Sequence, residues 1–108
     1  MPHDPGVHVS AYVIVSYDIV DREVYTSYVD RAVPILAKHG GELLVADADA
    51  RPLEGKPRSV HVVLRFASEE AALTWYHDPA YVAVKRIRVA ACDNTSMVLA
   101  KEHVPPAP

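Results

Sequence analysis

Apolar and polar positions alternate along the segment from Val60 to Phe66, and this pattern predicts a β-strand. The even-numbered residues of the segment are all apolar, whereas His61 and Arg65 lie on the opposite face with Val63 between them. β-Branched residues dominate the segment and favour a pleated conformation over a helix. One face of this strand therefore needs an apolar cover, and the other carries polar groups that are candidates for chemistry.

A second predicted strand runs from about Val9 to Tyr17, and both of its faces are apolar. The residues concerned are Ala11, Val13 and Val15 on one face and Tyr12 and Ile14 on the other. Strands that are buried on both sides have this composition. We therefore expect the sheet to be covered on both faces.

A 3.6-residue apolar period predicts a helix that begins after the N-cap residue Asp21 and ends near His39. The pair Gly40-Gly41 is predicted to supply the left-handed position that follows the helix, with Gly41 at positive φ. Pro34 is expected to bend the helix. The inward stripe of the helix, which includes Tyr25 and Tyr28, is interpreted as core and not as a binding surface.

Two capping signals predict the second helical region. Ser68 is expected to cap a helix that turns Trp75 toward the core, and Asp78-Pro79 to begin a further segment that ends near Ala91. The last helical segment carries a basic patch, interpreted as solvated, that consists of Lys85, Arg86 and Arg88.

Two further strands are predicted from about Glu42 to Ala48 and from Thr95 to Lys101, which completes the order β-α-β-β-α-β. This order fits a ferredoxin-like α+β sandwich, in which the helices cover one face of an antiparallel sheet ordered 4-1-3-2. Because the first strand is apolar on both faces, two such sheets are expected to pack together in a homodimer.

The folded domain is predicted to span residues 9–102, between a flexible N-terminal arm at residues 1–8 and a Pro-rich tail at residues 103–108. The chain has 108 residues and a formal net charge of −3, so a nucleic-acid partner is not expected. No apolar run is long enough for a membrane span, and the first ten residues lack the pattern of a secretory signal. We therefore predict a cytoplasmic protein without a membrane partner.

The chain carries no motif that indicates a bound cofactor. Cys92 is the one cysteine, which excludes an intrachain disulfide, and the histidines have no metal-binding spacing. No cofactor and no metal are therefore expected. A haem role would require an axial ligand, for which His61 or His77 would be the candidate.

His61 and Arg65 are the main candidate site residues because they share one face of a strand. If that face lines a cavity in a dimer, His61 is predicted to act as the acid/base and Arg65 to anchor an anionic substrate group. Tyr17 and Asp18 end the first strand and are expected near His61, with Tyr17 as a catalytic hydrogen-bond donor and Asp18 in substrate binding. The alternative interpretation is a solvated polar face.

Several runs of the sequence together resemble the family called domain of unknown function 1330, over about residues 10–101. These runs are Ala11-Tyr12-Val13-Ile14-Val15, Tyr25 and Tyr28, Gly40-Gly41, Leu53-Glu54-Gly55, Arg58, Val62-Val63-Leu64-Arg65-Phe66, and the segment from Ala72 to Tyr81 with its Trp75-Tyr76 and Pro79. The resemblance implies the dimeric α+β barrel superfamily, which includes cofactor-free oxygenases, isomerases and haem-handling enzymes. The activity of the family itself is not established.

Together, the residues and the resemblance predict a homodimer with a small-molecule ligand. We expect a cofactor-free enzyme that acts by acid–base chemistry on a small apolar or carbonyl-bearing metabolite. The alternative is a non-catalytic binding or interaction module in which the dimer is the functional unit.

Overall fold

The computed structural model describes residues 9–107 of the chain, so the predicted arm at residues 1–8 and the final residue of the predicted tail lie outside the described residues. Its elements in chain order are β1 (Ala11–Ile19), α1 (Arg22–Lys38), β2 (Glu42–Asp47), β3 (Val60–Phe66), α2 (Glu69–His77), α3 (Pro79–Ala91) and β4 (Cys92–Lys101). The four strands form one antiparallel sheet of order β2-β3-β1-β4. The predicted ferredoxin-like topology and strand order are confirmed.

The strand register divides the side chains of the sheet into two faces. The face covered by the helices carries buried residues such as Val13, Val15, Leu64 and Phe66. The opposite face, called the open face below, carries a mixed set of half-buried and exposed residues. They are Tyr12, Ile14, Ser16, Glu42, Val45, Asp47, His61, Val63, Arg65, Ser96, Val98 and Ala100.

Side-chain caps fix where each helix begins, as the sequence predicts. The carboxylate of Asp21 accepts a hydrogen bond from the Val24 amide, and the Ser68 hydroxyl accepts one from the Ala71 amide. Asp78 caps α3 and also lies 2.7 Å from Nε2 of His39 at the end of α1. These hydrogen bonds lower the pKa of Asp78 to about 2, and the bond with His39 has the largest effect. Asp78 therefore ties the end of α1 to the joint between α2 and α3.

Gly40, and not Gly41, is the left-handed residue that ends α1, which corrects the prediction for this turn. The φ angle of Gly40 is +69°. Its amide donates to the carbonyl of Ala37, and the Gly41 amide donates to the carbonyl of Leu36, which together form a Schellman motif. Gly41 is needed for a different reason: a Cβ atom there would lie 2.2 Å from Cδ1 of Leu36.

The last strand begins earlier than the sequence predicts. It starts at Cys92, directly after α3, because Cys92 is already extended and pairs with Ile19. Asn94 adopts a left-handed conformation with φ of 57° beside an irregularity in β1. Asn is common in this conformation, which also occurs at helix ends, so the sequence around Asn94 favours the end of a helix. The predicted helix over residues 22–38 is confirmed, and it continues through Pro34.

The core lies between the covered face of the sheet and the helices. Trp75 is 3% exposed, as predicted, and its ring centroid lies 4.2 Å from that of Tyr81 and 5.3 Å from that of Phe66. Helix α1 packs closely on α3 but only weakly on the sheet. This separation of α1 from the sheet leaves space inside the fold.

The turn after α1 gives a stability prediction. We expect Gly41→Asn to lower the free energy of unfolding by about 1–3 kcal/mol, because its Cβ would overlap the buried Leu36 side chain. The matched control Gly40→Asn should cost about 1 kcal/mol or less, because Asn tolerates the left-handed region and nothing lies near a Cβ there. Urea unfolding of both variants measures the difference, and a larger loss at Gly40 would contradict the assignment.

Candidate functional site

A cavity of about 100 Å³ lies between the sheet and the helices α1 and α3. Its walls are mainly apolar, with Val15, Val62 and Leu64 from the sheet and Ala32 from α1. Exposed residues of α1 and β2 also line it, so the opening lies between these two elements; they are Val29, Val33, Leu43 and Ala46. A cavity of this size suits a molecule about as large as a single six-membered ring.

Four tyrosines in the cavity wall form two hydroxyl pairs. The hydroxyl oxygens of Tyr17 and Tyr25 are 2.6 Å apart, and those of Tyr28 and Tyr81 are 3.0 Å apart. Within each pair one hydroxyl donates to the other, so the accepting hydroxyl keeps a proton that it can donate elsewhere. The cavity therefore offers proton donors within an otherwise apolar wall.

Arg88 of α3 brings a positive charge to the same wall. Its side chain lies beside Tyr28 and Tyr81, with the guanidinium carbon 5.8 Å from the centroid of the Tyr28 ring. The residue is 4% exposed, its Nε has no hydrogen-bond partner, and it forms no ion pair with any residue between 9 and 107. The group of Tyr17, Tyr25, Tyr28, Tyr81 and Arg88 is called the tyrosine–arginine cavity below.

The environment keeps Tyr17 and Tyr28 neutral and Arg88 charged. Burial, followed by the hydrogen bond with Tyr25, raises the pKa of Tyr17. Burial also raises the pKa of Tyr28, and the nearby Arg88 offsets only part of this effect. Burial disfavours the charged form of Arg88, but the two adjacent phenols more than compensate and its pKa is raised. The cavity can therefore donate protons and stabilise negative charge, whereas its phenols are poor bases at neutral pH.

His61 and Arg65, the main residues predicted from the sequence, lie on the open face and not in the cavity. Arg65 pairs with Glu42 at 2.5 Å and donates from Nε to the Ser10 hydroxyl at 3.1 Å. The bond to Glu42 raises the pKa of Arg65. Nδ1 of His61 is buried and has no partner among residues 9–107. The structure places His61 and Arg65 on one face, as expected, but their predicted roles in a site stay predictions.

The expected cluster of Tyr17, Asp18 and His61 does not form. Tyr17 pairs with Val60 and points to the helices, whereas His61 points to the other face of the sheet. Asp18 accepts hydrogen bonds from Asn94, at 3.0 Å, and from Ser59, and these bonds lower its pKa. Tyr17 and His61 are separated because they lie on opposite faces of the sheet, whereas Asp18 is held by Ser59 and Asn94 beside an irregularity in β1. Tyr17 alone of the predicted residues lies in the cavity.

Arg88 is the residue that the sequence interpretation missed, because it was read as part of a solvated basic patch. Arg86 is indeed exposed, but Arg88 is buried. The spacing along the helix indicates that Arg88 points inward. Arg88 lies seven residues after the inward-facing Tyr81, which places both residues on the same side of α3. Tyr25 and Tyr28, interpreted as core, likewise line a cavity.

A second cavity, of about 250 Å³, lies between α2 and the strands β1 and β4. Its wall has no charged residue, and its polar groups are the Tyr76 hydroxyl and the indole Nε1 of Trp75. Between residues 9 and 107, no cluster of three or more His, Cys, Asp or Glu side chains is arranged to hold a metal ion. In the same part of the chain, no helix is both long and apolar enough to cross a membrane.

The sheet order and the position of the helices define a ferredoxin-like α+β protein. The chain belongs to the family described as "Domain of unknown function (DUF1330)", whose sequence model matches residues 10–102. This confirms the family resemblance of the sequence. A comparison with curated proteins gives no match.

Several solved structures are similar in fold. A protein of unknown function from Rhodopseudomonas palustris has a TM-score of 0.76 and 17% identity, over 91% of this chain and 85% of that chain. A dimeric protein of unknown function with a ferredoxin-like fold, from Bacteroides fragilis, has a TM-score of 0.55 and 13% identity, over 86% and 96%. SnoaB, a cofactor-independent oxygenase from Streptomyces nogalater, has a TM-score of 0.58 and 10% identity, over 94% and 97%. These similarities show the fold alone.

The raised phenol pKa values predict a stability loss in alkali. Folding raises the pKa of Tyr17 and Tyr28 above the usual value near 10. Above about pH 10 the unfolded chain therefore loses protons that the folded chain retains, so the free energy of unfolding falls as the pH rises further. A variant with Tyr17→Phe and Tyr28→Phe should therefore lose less stability than the wild type between neutral pH and about pH 11. Urea unfolding at both pH values tests this, and equal losses would contradict it.

Proposed function

We propose that the protein binds a small apolar or carbonyl-bearing metabolite in the tyrosine–arginine cavity and acts on it by acid–base chemistry without a cofactor. The observation that carries the proposal is the combination of an apolar cavity with neutral phenol donors and a buried guanidinium. Apolar walls with a few convergent polar groups are typical of small-molecule sites. The resemblance in fold to SnoaB, a cofactor-independent oxygenase, agrees with such a function.

The cavity groups have distinct roles in this proposal. Arg88 stabilises negative charge that develops on a substrate oxygen, as in an enolate, because a charge–charge interaction is strong away from water. Tyr28 and Tyr81, which share one hydrogen bond, have one proton left to donate to that oxygen. Tyr17 keeps its predicted role as a hydrogen-bond donor.

A specific observation favours the second candidate, a binding module without catalysis. Among the described residues that line the tyrosine–arginine cavity there is no carboxylate and no imidazole. The cavity therefore holds donors but no side chain that accepts a proton readily at neutral pH. A protein of this kind would retain its ligand without changing it.

We further propose that the chain forms a homodimer through the open face. Ile14, Val45 and Val98 lie on this face and are 42%, 42% and 51% exposed. Together they form an apolar patch that extends across the strands of the sheet. The similar protein from Bacteroides fragilis is described as dimeric. In such a dimer His61 and Arg65 would lie at the interface, on the opposite side of the sheet from the tyrosine–arginine cavity.

The binding proposal is tested with acetophenone, a small aromatic ketone. Trp75 is the one tryptophan and lines the cavity, so its fluorescence should change as acetophenone binds. Ala32→Phe fills the cavity and should abolish the change, whereas the control Ala37→Phe, on the exposed side of the same helix, should keep it. Equal binding by both variants would contradict the site.

Exchange of the methyl protons of acetophenone in deuterated water separates the two candidate functions. An enzyme that stabilises the enolate at Arg88, while solvent water or hydroxide at the cavity opening takes the methyl proton, should accelerate this exchange in the wild type and not in Ala32→Phe. A binding module should bind acetophenone without acceleration.

The dimer proposal predicts the effect of a charge on the open face. Ile14→Asp should convert a particle of twice the chain mass to a monomer, because a dimer would bury the unpaired carboxylate. Val89→Asp, at a 61% exposed position on α3, is the control and should remain dimeric. Sedimentation measures both, and a wild-type monomer at micromolar concentration would contradict the proposal.

A further inference from the structure

We infer that the ligand of the tyrosine–arginine cavity is an anion: a small, mainly apolar molecule with a carboxylate or an ionised hydroxyl that Arg88 holds. The inference rests on the proposed function, since it assumes that this cavity is the ligand site, and it adds the charge of the ligand. It is argued from the one charged side chain in the described wall of the cavity.

The first step is the cost of burying Arg88. Arg88 is 4% exposed, so its guanidinium has lost most of its hydration, and such a loss is usually compensated by a carboxylate partner. No carboxylate between residues 9 and 107 pairs with Arg88, although Arg65 on the open face has such a partner in Glu42. Within the described residues, this buried cation therefore lacks the usual counter-charge.

The second step is that the neighbouring groups do not replace this counter-charge. Burial raises the pKa of Tyr28, so it supplies no negative charge at neutral pH, and Tyr81 shares a hydroxyl–hydroxyl hydrogen bond with it in place of a carboxylate. Nε of Arg88 has no hydrogen-bond partner in the described chain. A donor is thus left unused at the wall of a cavity.

The third step is the chemistry of a ligand group that could accept hydrogen bonds from Arg88. An oxygen placed against Arg88 could accept from the guanidinium and from the remaining proton of the Tyr28–Tyr81 pair. Charge-assisted hydrogen bonds of this kind favour an ionised oxygen over a neutral one. The aliphatic residues Val15, Val62 and Leu64 would contact the rest of the ligand. Because the ligand would arrive ionised or ionise easily, the cavity would need no base of its own.

Benzoate and benzamide test the inference, because they have nearly the same shape and differ in charge. We expect the wild type to bind benzoate about 10- to 100-fold more tightly than benzamide. Arg88→Met should abolish this preference, and Arg88→Lys should retain part of it. Arg86→Met is the matched control, since Arg86 is exposed two residues away on the same helix, and it should retain the full preference.

A phenol probe distinguishes the two sources of the anionic oxygen. If the cavity accepts an ionised hydroxyl, 4-nitrophenol should bind as its coloured phenolate at a pH below its pKa in solution. Binding of benzoate alone would restrict the ligand to carboxylates, and binding of both anions would support the shared chemistry.

The outcomes separate this inference from the proposed function. Equal binding of benzoate and benzamide, with both lost in Ala32→Phe, would overturn the inference and leave the cavity as the binding site. Failure of acetophenone, benzoate and 4-nitrophenol alike to bind would overturn both. If Arg88→Met does not fold, the ratio of the two affinities in the wild type, in Arg88→Lys and in Arg86→Met still decides the question.

Discussion

The burial of Arg88 among neutral phenols is the physical constraint on which the candidate site depends. A guanidinium cannot lose its proton, so the interior of the fold carries a permanent positive charge. The residue is 4% exposed, and its charge faces a cavity and not a carboxylate of the described chain. Tyr28 and Tyr81 keep the guanidinium charged, but they are phenols and do not supply the carboxylate that usually accompanies a buried arginine. A structural position that had no other role would be filled more favourably by an apolar residue, and this contrast supports a role in function.

The cavity beside Arg88 depends on which side chains of the sheet face the helices. Alternation along β1 and β3 directs one set of side chains to the helices and the other to the open face. Helix α1 packs on α3 and stays apart from the sheet, so the covered face is left unfilled beside Tyr28. The open face instead presents exposed apolar residues and the Arg65–Glu42 pair. That pair is largely solvated and contributes little to stability, so the face is better suited to contact with a second copy.

Much of the fold could be predicted from local sequence signals. The caps at Asp21, Ser68 and Asp78 combine a suitable side chain with the start of an apolar period, so they determine helix starts without tertiary information. The order of elements then leaves few topologies, and the predicted strand order was confirmed. The left-handed glycine was assigned to the wrong member of the pair Gly40-Gly41, because either residue satisfies the sequence rule. The clash that reserves Gly41 for glycine involves Leu36 and appears only in the packed fold.

The candidate site was harder to predict, for reasons that individual residues illustrate. The sequence favours His61 and Arg65 as site residues because polar side chains on an otherwise apolar strand suggest a function. The tyrosines of α1, in contrast, fit the pattern of ordinary core residues. Arg88 was hidden within a basic run, although its seven-residue spacing from Tyr81 indicated an inward direction. Whether an inward stripe meets a packed core or a cavity depends on how far α1 stands from the sheet, and this distance has no local sequence signal.

The most direct test of the cavity as the ligand site is a crystal structure of the protein with 4-bromobenzoate, in which anomalous scattering locates the bromine atom. The cavity assignment predicts a bromine between α1 and the sheet, with the carboxylate against Nε and the terminal nitrogens of Arg88. A bromine on the open face beside His61 and Arg65 would contradict it. So would a molecule in the cavity whose carboxylate points away from Arg88 to the opening near Val33.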